Sequence, residues 1–285
     1  LSGVVPERDL LNGVALLQVN LNGARLIGPL LTVPLIHIGG GVGAFLVAAL
    51  LYALAIRQVW VLGAVPHQRS GSDSNPFAQF AQGVSYAART PVVSALIALV
   101  FLHCAFTMGY DAALPELASD ALGASGRAYS VLVMAIGTGS LAGAFLLAGF
   151  ARRIHRGYLL FATSILSGLT LVPLALAATW PGALLAAAMV GLTQSMFIAL
   201  ATTLLQLATP DSVRGRVLAL YWGSSGGVMA FSNLATGQGA DDFGVWAVLA
   251  LPGLAFVAVT LVTLAAPPLR ALYGRHVAAP AAHAA

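Results

Sequence analysis

The sequence predicts an all-α membrane protein with eight transmembrane helices, and three observations carry that reading. Of 285 residues, 59% are hydrophobic and only 8% charged, where an ordinary soluble domain has about 25% charged residues. Apolar runs longer than about 18 residues recur along the chain, which is the length a helix needs to cross a bilayer. The cations, all arginine, gather between those runs and on one side of them.

Taken in order, the spans fall at about 11–35, 42–62, 92–113, 128–150, 158–178, 182–207, 216–237 and 244–267. Thr90-Pro91 and Thr209-Pro210 each place a capping hydroxyl before a proline suited to the first helical position. Between the second and third spans lies the longest interruption, about 63–90. Its first part, Pro66–Asn75, is polar. The second part reads as a short amphipathic helix opened by Asn75-Pro76, with Phe77, Phe80, Val84 and Ala87 at helical spacing, suited to the cytoplasmic surface of a bilayer. The expected organisation is therefore 1–62 with two helices, 63–90 as linker, 91–269 with six helices, and 270–285 as a cytoplasmic tail.

Charge orients the bundle. Arg8, Arg57, Arg69, Arg89, Arg152, Arg153, Arg156, Arg214, Arg216, Arg270 and Arg275 all fall on the face shared by the two termini. Arg127 alone falls opposite, with Glu116, Asp120, Asp241 and Asp242, and Arg25 lies within the first span. The positive-inside rule places both ends in the cytoplasm. The same placement accounts for the net charge of +4 without a nucleic-acid partner. Cys104 is the only cysteine, which excludes a disulfide framework and a thiolate metal site. The six histidines, at 37, 67, 103, 155, 276 and 283, are scattered with no acidic ligand set beside them, so neither a metal centre nor an embedded enzyme is expected. No G-x-x-x-x-G-K loop occurs, which disfavours an ATP-driven pump, and no cofactor is expected. Gly137-Thr138-Gly139-Ser140-Leu141-Ala142-Gly143 sits inside an apolar run with no strand before it. Its small-xxx-small spacing, Gly139 to Gly143, predicts close helix packing instead.

The polar groups inside the spans form stripes. Gln18, Asn22, Arg25 and Pro29 share one face of the first span, and His103, Thr107, Tyr110 and Asp111 one face of the third. Ser195, Thr202 and Gln206 align on the sixth, and Ser225, Ser232 and Thr236 on the seventh. Polar groups in hydrocarbon need partners or water, so these faces should point into the bundle and are the candidate substrate cavity or coupling positions. Thr163, Ser164, Ser167 and Thr170 on the fifth span can instead bond their own backbone. The second and eighth spans are nearly free of polar groups, as lipid-facing helices are. An arginine at depth costs roughly 2.5–3.5 kcal/mol on insertion scales, so Arg25 either serves a transport pathway or makes a structural polar contact. His103 and Asp111 are the candidate proton-handling pair, with a structural histidine and a solvated aspartate as the other reading.

Two charged knots echo each other. Pro6-Glu7-Arg8-Asp9 opens the first span, and Pro210-Asp211-Ser212-Val213-Arg214-Gly215-Arg216 the seventh. With Val5, Asn12, Ala15, Arg25-Leu26-Ile27-Gly28-Pro29, Leu204-Leu205-Gln206 and Gly137–Gly143, their order and spacing resemble the major facilitator superfamily, in the branch of bacterial exporters that contains the enterobactin exporter and related efflux proteins. The resemblance implies twelve helices in two halves, with the eight spans similar to helices five to twelve. Four helices would then precede Leu1. It implies a multi-pass protein of the bacterial cytoplasmic membrane that moves a small amphipathic molecule, siderophore or drug, by proton-coupled antiport and alternating access. It also implies a cytoplasmic gate in which Arg152, Arg153 and Arg156 meet Glu7 or Asp9, with Asp211, Arg214 and Arg216 at the second knot. The sequence departs from the family pattern twice. The loop Gly149–Gly157 lacks an acidic residue, and Thr32-Val33 stands where the antiport motif has glycines. An importer, or a remnant that transports nothing, fits the same residues.

Overall fold

The computed structural model describes residues 28, 31, 35, 38, 40–61, 76–121, 127–150 and 155–274. The described residues contain helices and no strand. Contacts divide the chain between Asp73 and Ser74 into two compact units.

In the first unit the described element is α1, Gly40–Val61, an apolar helix of 22 residues. At about 1.5 Å per residue it is long enough to cross a hydrocarbon core of about 30 Å. Gly40 takes φ +64°, a left-handed backbone that glycine enters without steric cost.

The second unit runs α2 (Pro76–Arg89), α3 (Pro91–Thr107), α4 (Tyr110–Glu116), a π turn Leu117–Ala121, α5 (Arg127–Phe150), α6 (Arg156–Leu169), α7 (Leu171–Ala175), α8 (Trp180–Leu207), α9 (Asp211–Phe243), α10 (Val245–Val262), a 3-10 turn Thr263–Ala265 and α11 (Pro267–Gly274). Six stretches among the described residues are long and apolar enough to span: Gly40–Val61, Pro91–Ser119, Ala128–Leu147, Arg156–Ala175, Trp180–Leu207 and Val245–Ala265. These match the second to sixth and the eighth of the expected spans. The first expected span lies almost entirely outside the described residues. The seventh coincides with α9, which is longer than expected at 33 residues and too polar to stand among the six.

Prolines and hydroxyls set the breaks. Pro173 has no N–H to give the carbonyl of Leu169, and α6 ends there before α7 resumes. Thr90 caps α3 by position, with Pro91 first in the helix, but its side chain makes no capping bond. Thr209 departs further: its hydroxyl donates back to the Leu205 carbonyl at 2.7 Å, and Pro210 takes the cap of α9. The fifth-span hydroxyls bond their own backbone as expected, Thr163 to Leu159, Ser164 to Leu160, Ser167 to Ser164 and Thr170 to Ser167. Gly244, at φ +78° and ψ 156°, occupies a region essentially reserved for glycine. It turns α9 into α10 through a single residue.

Packing is close where the small residues fall. A Cβ on Gly139 or Gly143 of α5 would overlap the backbone of α8 at Ala188 or Leu192, and one on Gly191 of α8 would overlap Ile136. Ser140 then donates to the Gly191 carbonyl at 3.1 Å and Ser195 to the Ser140 carbonyl at 3.0 Å. The glycine-rich motif is thus a helix–helix seam, as its spacing predicts. The amphipathic helix of the linker is α2. Gly83 and Ala87 turn inward, Gly83 against the Arg216 backbone, while Phe80 and Val84 stay exposed. The expected tail begins as structure: α11 buries Leu269 and Leu272, sets Leu272 against Gly157, and joins the Tyr273 hydroxyl to Thr263 at 2.9 Å.

Candidate functional site

The candidate site is built on α3, α4, α8 and α9. A residue in hydrocarbon with an unmet polar group costs free energy, and here polar side chains of α3, α8 and α9 bond one another and neighbouring main-chain carbonyls. Thr202 of α8 and Tyr221 of α9 share a hydrogen bond of 3.1 Å. Ser232 of α9 donates to the Ala105 carbonyl of α3 at 2.8 Å. Gln194 of α8 donates through Nε2 to the Thr107 carbonyl at 3.3 Å, and the Thr107 hydroxyl stands 3.5 Å from Gln194 Oε1. Gly109 lies so close to Thr236 that a Cβ would overlap its hydroxyl.

The expected stripe of α3 and α4 does point inward. His103, Thr107 and Tyr110 are fully buried and Asp111 half-buried. His103 stacks on Phe197 with ring centroids 4.0 Å apart and meets the edge of Phe256 at 5.1 Å. Neither of its ring nitrogens has a hydrogen-bond partner, so the imidazole packs as an aromatic within the core. Ser195, Ser225, Ser232 and Thr202 are engaged between helices or buried, and the main-chain carbonyl of Gln206 accepts from Arg214 Nε at 3.3 Å. Arg214 also reaches the Thr209 carbonyl at 3.1 Å, which ties the second knot to the end of α8. Arg216 is half-buried and Arg156 exposed. Gln18, Asn22, Arg25, Glu7, Asp9, Arg152 and Arg153 lie outside the described residues, as does the side chain of Asp211.

Sequence reasoning missed Gln194. A lone amide in an apolar run is a signal in itself, but Gln194 lies off the face shared by Ser195, Thr202 and Gln206. It also missed the other side of α9. Gly215, Ala219, Gly223, Gly226, Gly227, Ala230 and Leu234 follow one helical face and all are exposed. At Gly215, Gly223, Gly226 and Gly227 nothing lies within 4 Å of where a Cβ would stand. Trp222, Phe231 and Gln238 flank this face and are exposed too. The buried face of α9, with Val217, Tyr221, Ser225, Ser232 and Thr236, meets the rest of the bundle. A cavity of about 460 Å³ at the α7–α8 turn, lined by Pro173, Leu176, Thr179, Leu185 and Met189 among others, shares no residue with this site.

Six apolar stretches long enough to span, with most buried polar groups among the described residues hydrogen-bonded, define the class of multi-pass membrane proteins. The chain is a member of the MFS_3 family, transmembrane secretion effector, whose profile matches residues 1–278. That is a transporter family of the major facilitator type, working in a lipid bilayer on small molecules. No curated protein matches the chain.

Proposed function

We propose that this protein is a secondary transporter that exports a small amphipathic organic molecule, siderophore or drug, by alternating access. The observation that carries the reading is the open face of α9. A helix of 33 residues is long enough to span a bilayer, yet its exposed face carries Gly215, Gly223, Gly226, Gly227 and Gln238 where lipid would favour leucine and phenylalanine. Irregular or less apolar surface at membrane depth belongs against protein or a water-filled cavity. The small residues leave room, and Trp222 and Phe231 supply apolar surface for an amphipathic cargo.

In this reading the proton enters as the substrate leaves, and the protein lies in the bacterial cytoplasmic membrane with both ends of the chain in the cytoplasm. By the resemblance, Gln18, Asn22 and Arg25 of the first expected span belong to the substrate cavity, and Asp111, with His103, is the candidate for handling the proton. The cytoplasmic gate pairs Glu7 or Asp9 with Arg152, Arg153 or Arg156, next to the knot of Asp211, Arg214 and Arg216. The likeness to the enterobactin exporter branch supports export over import.

The test is transport by the protein reconstituted in liposomes. A fluorescent amphipathic cation and a catecholate siderophore would be offered in turn under an imposed pH gradient. Flux of either one that collapses with a protonophore supports proton-coupled export. Flux indifferent to the gradient removes the coupling, and no flux of any amphipathic probe removes the function. Reversal of Glu7 to Lys should lower flux, and reversal of Arg152 or Arg153 to Glu should restore it.

A further inference from the structure

The span Pro91–Ser119 is not regular throughout, although Met108 and Gly109 both keep right-handed helical dihedrals. It breaks at Met108-Gly109 between α3 and α4, and no proline causes the break: Pro115 withholds its N–H from the Asp111 carbonyl, one turn further on. What surrounds the break is a set of side-chain donors aimed at main-chain carbonyls. The Thr107 hydroxyl donates to the His103 carbonyl at 2.8 Å, Ser232 to the Ala105 carbonyl at 2.8 Å, and Gln194 Nε2 to the Thr107 carbonyl at 3.3 Å. A side chain inserted into the i→i−4 ladder is a recognised cause of a kink. Here the donors come from α3 itself, from α9 and from α8, and Gly109 lets α9 approach the broken backbone at Thr236.

The Thr107 hydroxyl has one proton and two acceptors in reach, the His103 carbonyl at 2.8 Å and Gln194 Oε1 at 3.5 Å. A hydroxyl can donate only once. Turned to His103 it closes the last turn of α3. Turned to Gln194, it would release that carbonyl and complete a two-bond clasp between Thr107 and the amide. The group is sealed from water, with Thr107 fully buried and Gln194 only 3% exposed, so neither acceptor can be served by solvent. The Thr107 hydroxyl proton therefore has two defined settings.

We propose that Gln194 is a positioning residue that latches the α3–α4 joint, holding the segment Tyr110–Ala121 in one of two arrangements between which the protein passes as it transports. This rests on the transport reading above for its purpose, though not for its geometry. The segment is packed, with Ala113, Leu114, Leu117 and Ala118 buried. Releasing the latch would therefore expose residues that are sealed in the state described here.

The experiment reads that exposure directly. In the full chain in lipid nanodiscs, with Cys104→Ser to remove the native thiol, Ala118→Cys is labelled with a polar maleimide. Ala187→Cys, buried on α8, reports general loosening. Gln194→Leu should raise the labelling rate at position 118 by about three- to twentyfold, the range over which a hydrogen bond of membrane strength can shift a two-state equilibrium. The rate at position 187 should stay as it was. Thr107→Val should shift position 118 similarly, whereas Thr107→Ser, which keeps the hydroxyl, should not. Thr107→Val also carries the test if Gln194→Leu fails to fold. Unchanged labelling at 118, or an equal rise at 187, overturns the latch. No cargo is needed, so the two ideas fail separately: a shifted rate in a chain that moves no substrate would sink the transport reading and leave the latch standing.

Discussion

Gly168 of α6 and Gly253 of α10 face each other so closely that neither has room for a side chain. A Cβ on Gly168 would stand 2.5 Å from the Gly253 carbonyl oxygen, and one on Gly253 would stand 2.6 Å from that of Gly168. Both obstacles are backbone, which cannot swing aside as a side chain can. Such reciprocal small-residue contacts let membrane helices gain dispersion energy where no hydrophobic drive separates protein from lipid.

Gly168→Ala should therefore destabilise the protein by about 1–3 kcal/mol, the usual cost of overpacking. Thermal unfolding in detergent with a folded-state probe measures it. A midpoint unchanged from the parent would show that α6 and α10 part without cost.

Thr202 and Tyr221 bridge α8 and α9 at 3.1 Å. A double-mutant cycle of Thr202→Val and Tyr221→Phe should return a coupling of about 0.6 kcal/mol and no more than about 1.7 kcal/mol. The seam is drier and stiffer than expected if the coupling is larger, and the contact is incidental if it is zero.

The open face of α9 makes a steric prediction. Gly226→Trp and Gly227→Trp meet nothing within 4 Å at the Cβ, so the protein should fold with little loss of stability. Transport should nonetheless fall by an order of magnitude or more if cargo passes that face, roughly the penalty that misplacing a bound substrate carries. Full flux in a well-folded Trp variant would remove α9 from the pathway.

Tyr273, on α11 outside the spans, has its phenol pushed above its ordinary value, first by burial, against which the hydrogen bond to Thr263 pulls it down. A raised acid holds its proton in the folded state, so the stabilisation is fully present below the unfolded value of about 10. It is lost as pH climbs through the raised value. Tyr273→Phe should flatten that alkaline decline in unfolding midpoint as pH rises past about 10; an equally steep decline in the variant would assign it to other groups.

Much of the fold could be read directly. The spans from α1 to α8 and α10 announce themselves because a bilayer demands about 20 apolar residues in a row, and α5 announces its partner-facing side through Gly139 and Gly143. The α9 helix was visible as a span but only faintly, since its open face is glycine and alanine where the other helices carry leucine.

Sequence by itself determined the class, the helix positions and the faces on which polar residues gather, because periodicity and length are local properties of a chain. Tertiary structure alone decided what those faces meet. Ser195 pairs with α5 and Ser232 with α3, His103 is enclosed by Phe197 and Phe256, and Gln194 reaches a carbonyl 87 residues away in the chain. A helical period fixes the direction of a side chain on its own axis, whereas the neighbour in that direction is set by how all the helices pack at once.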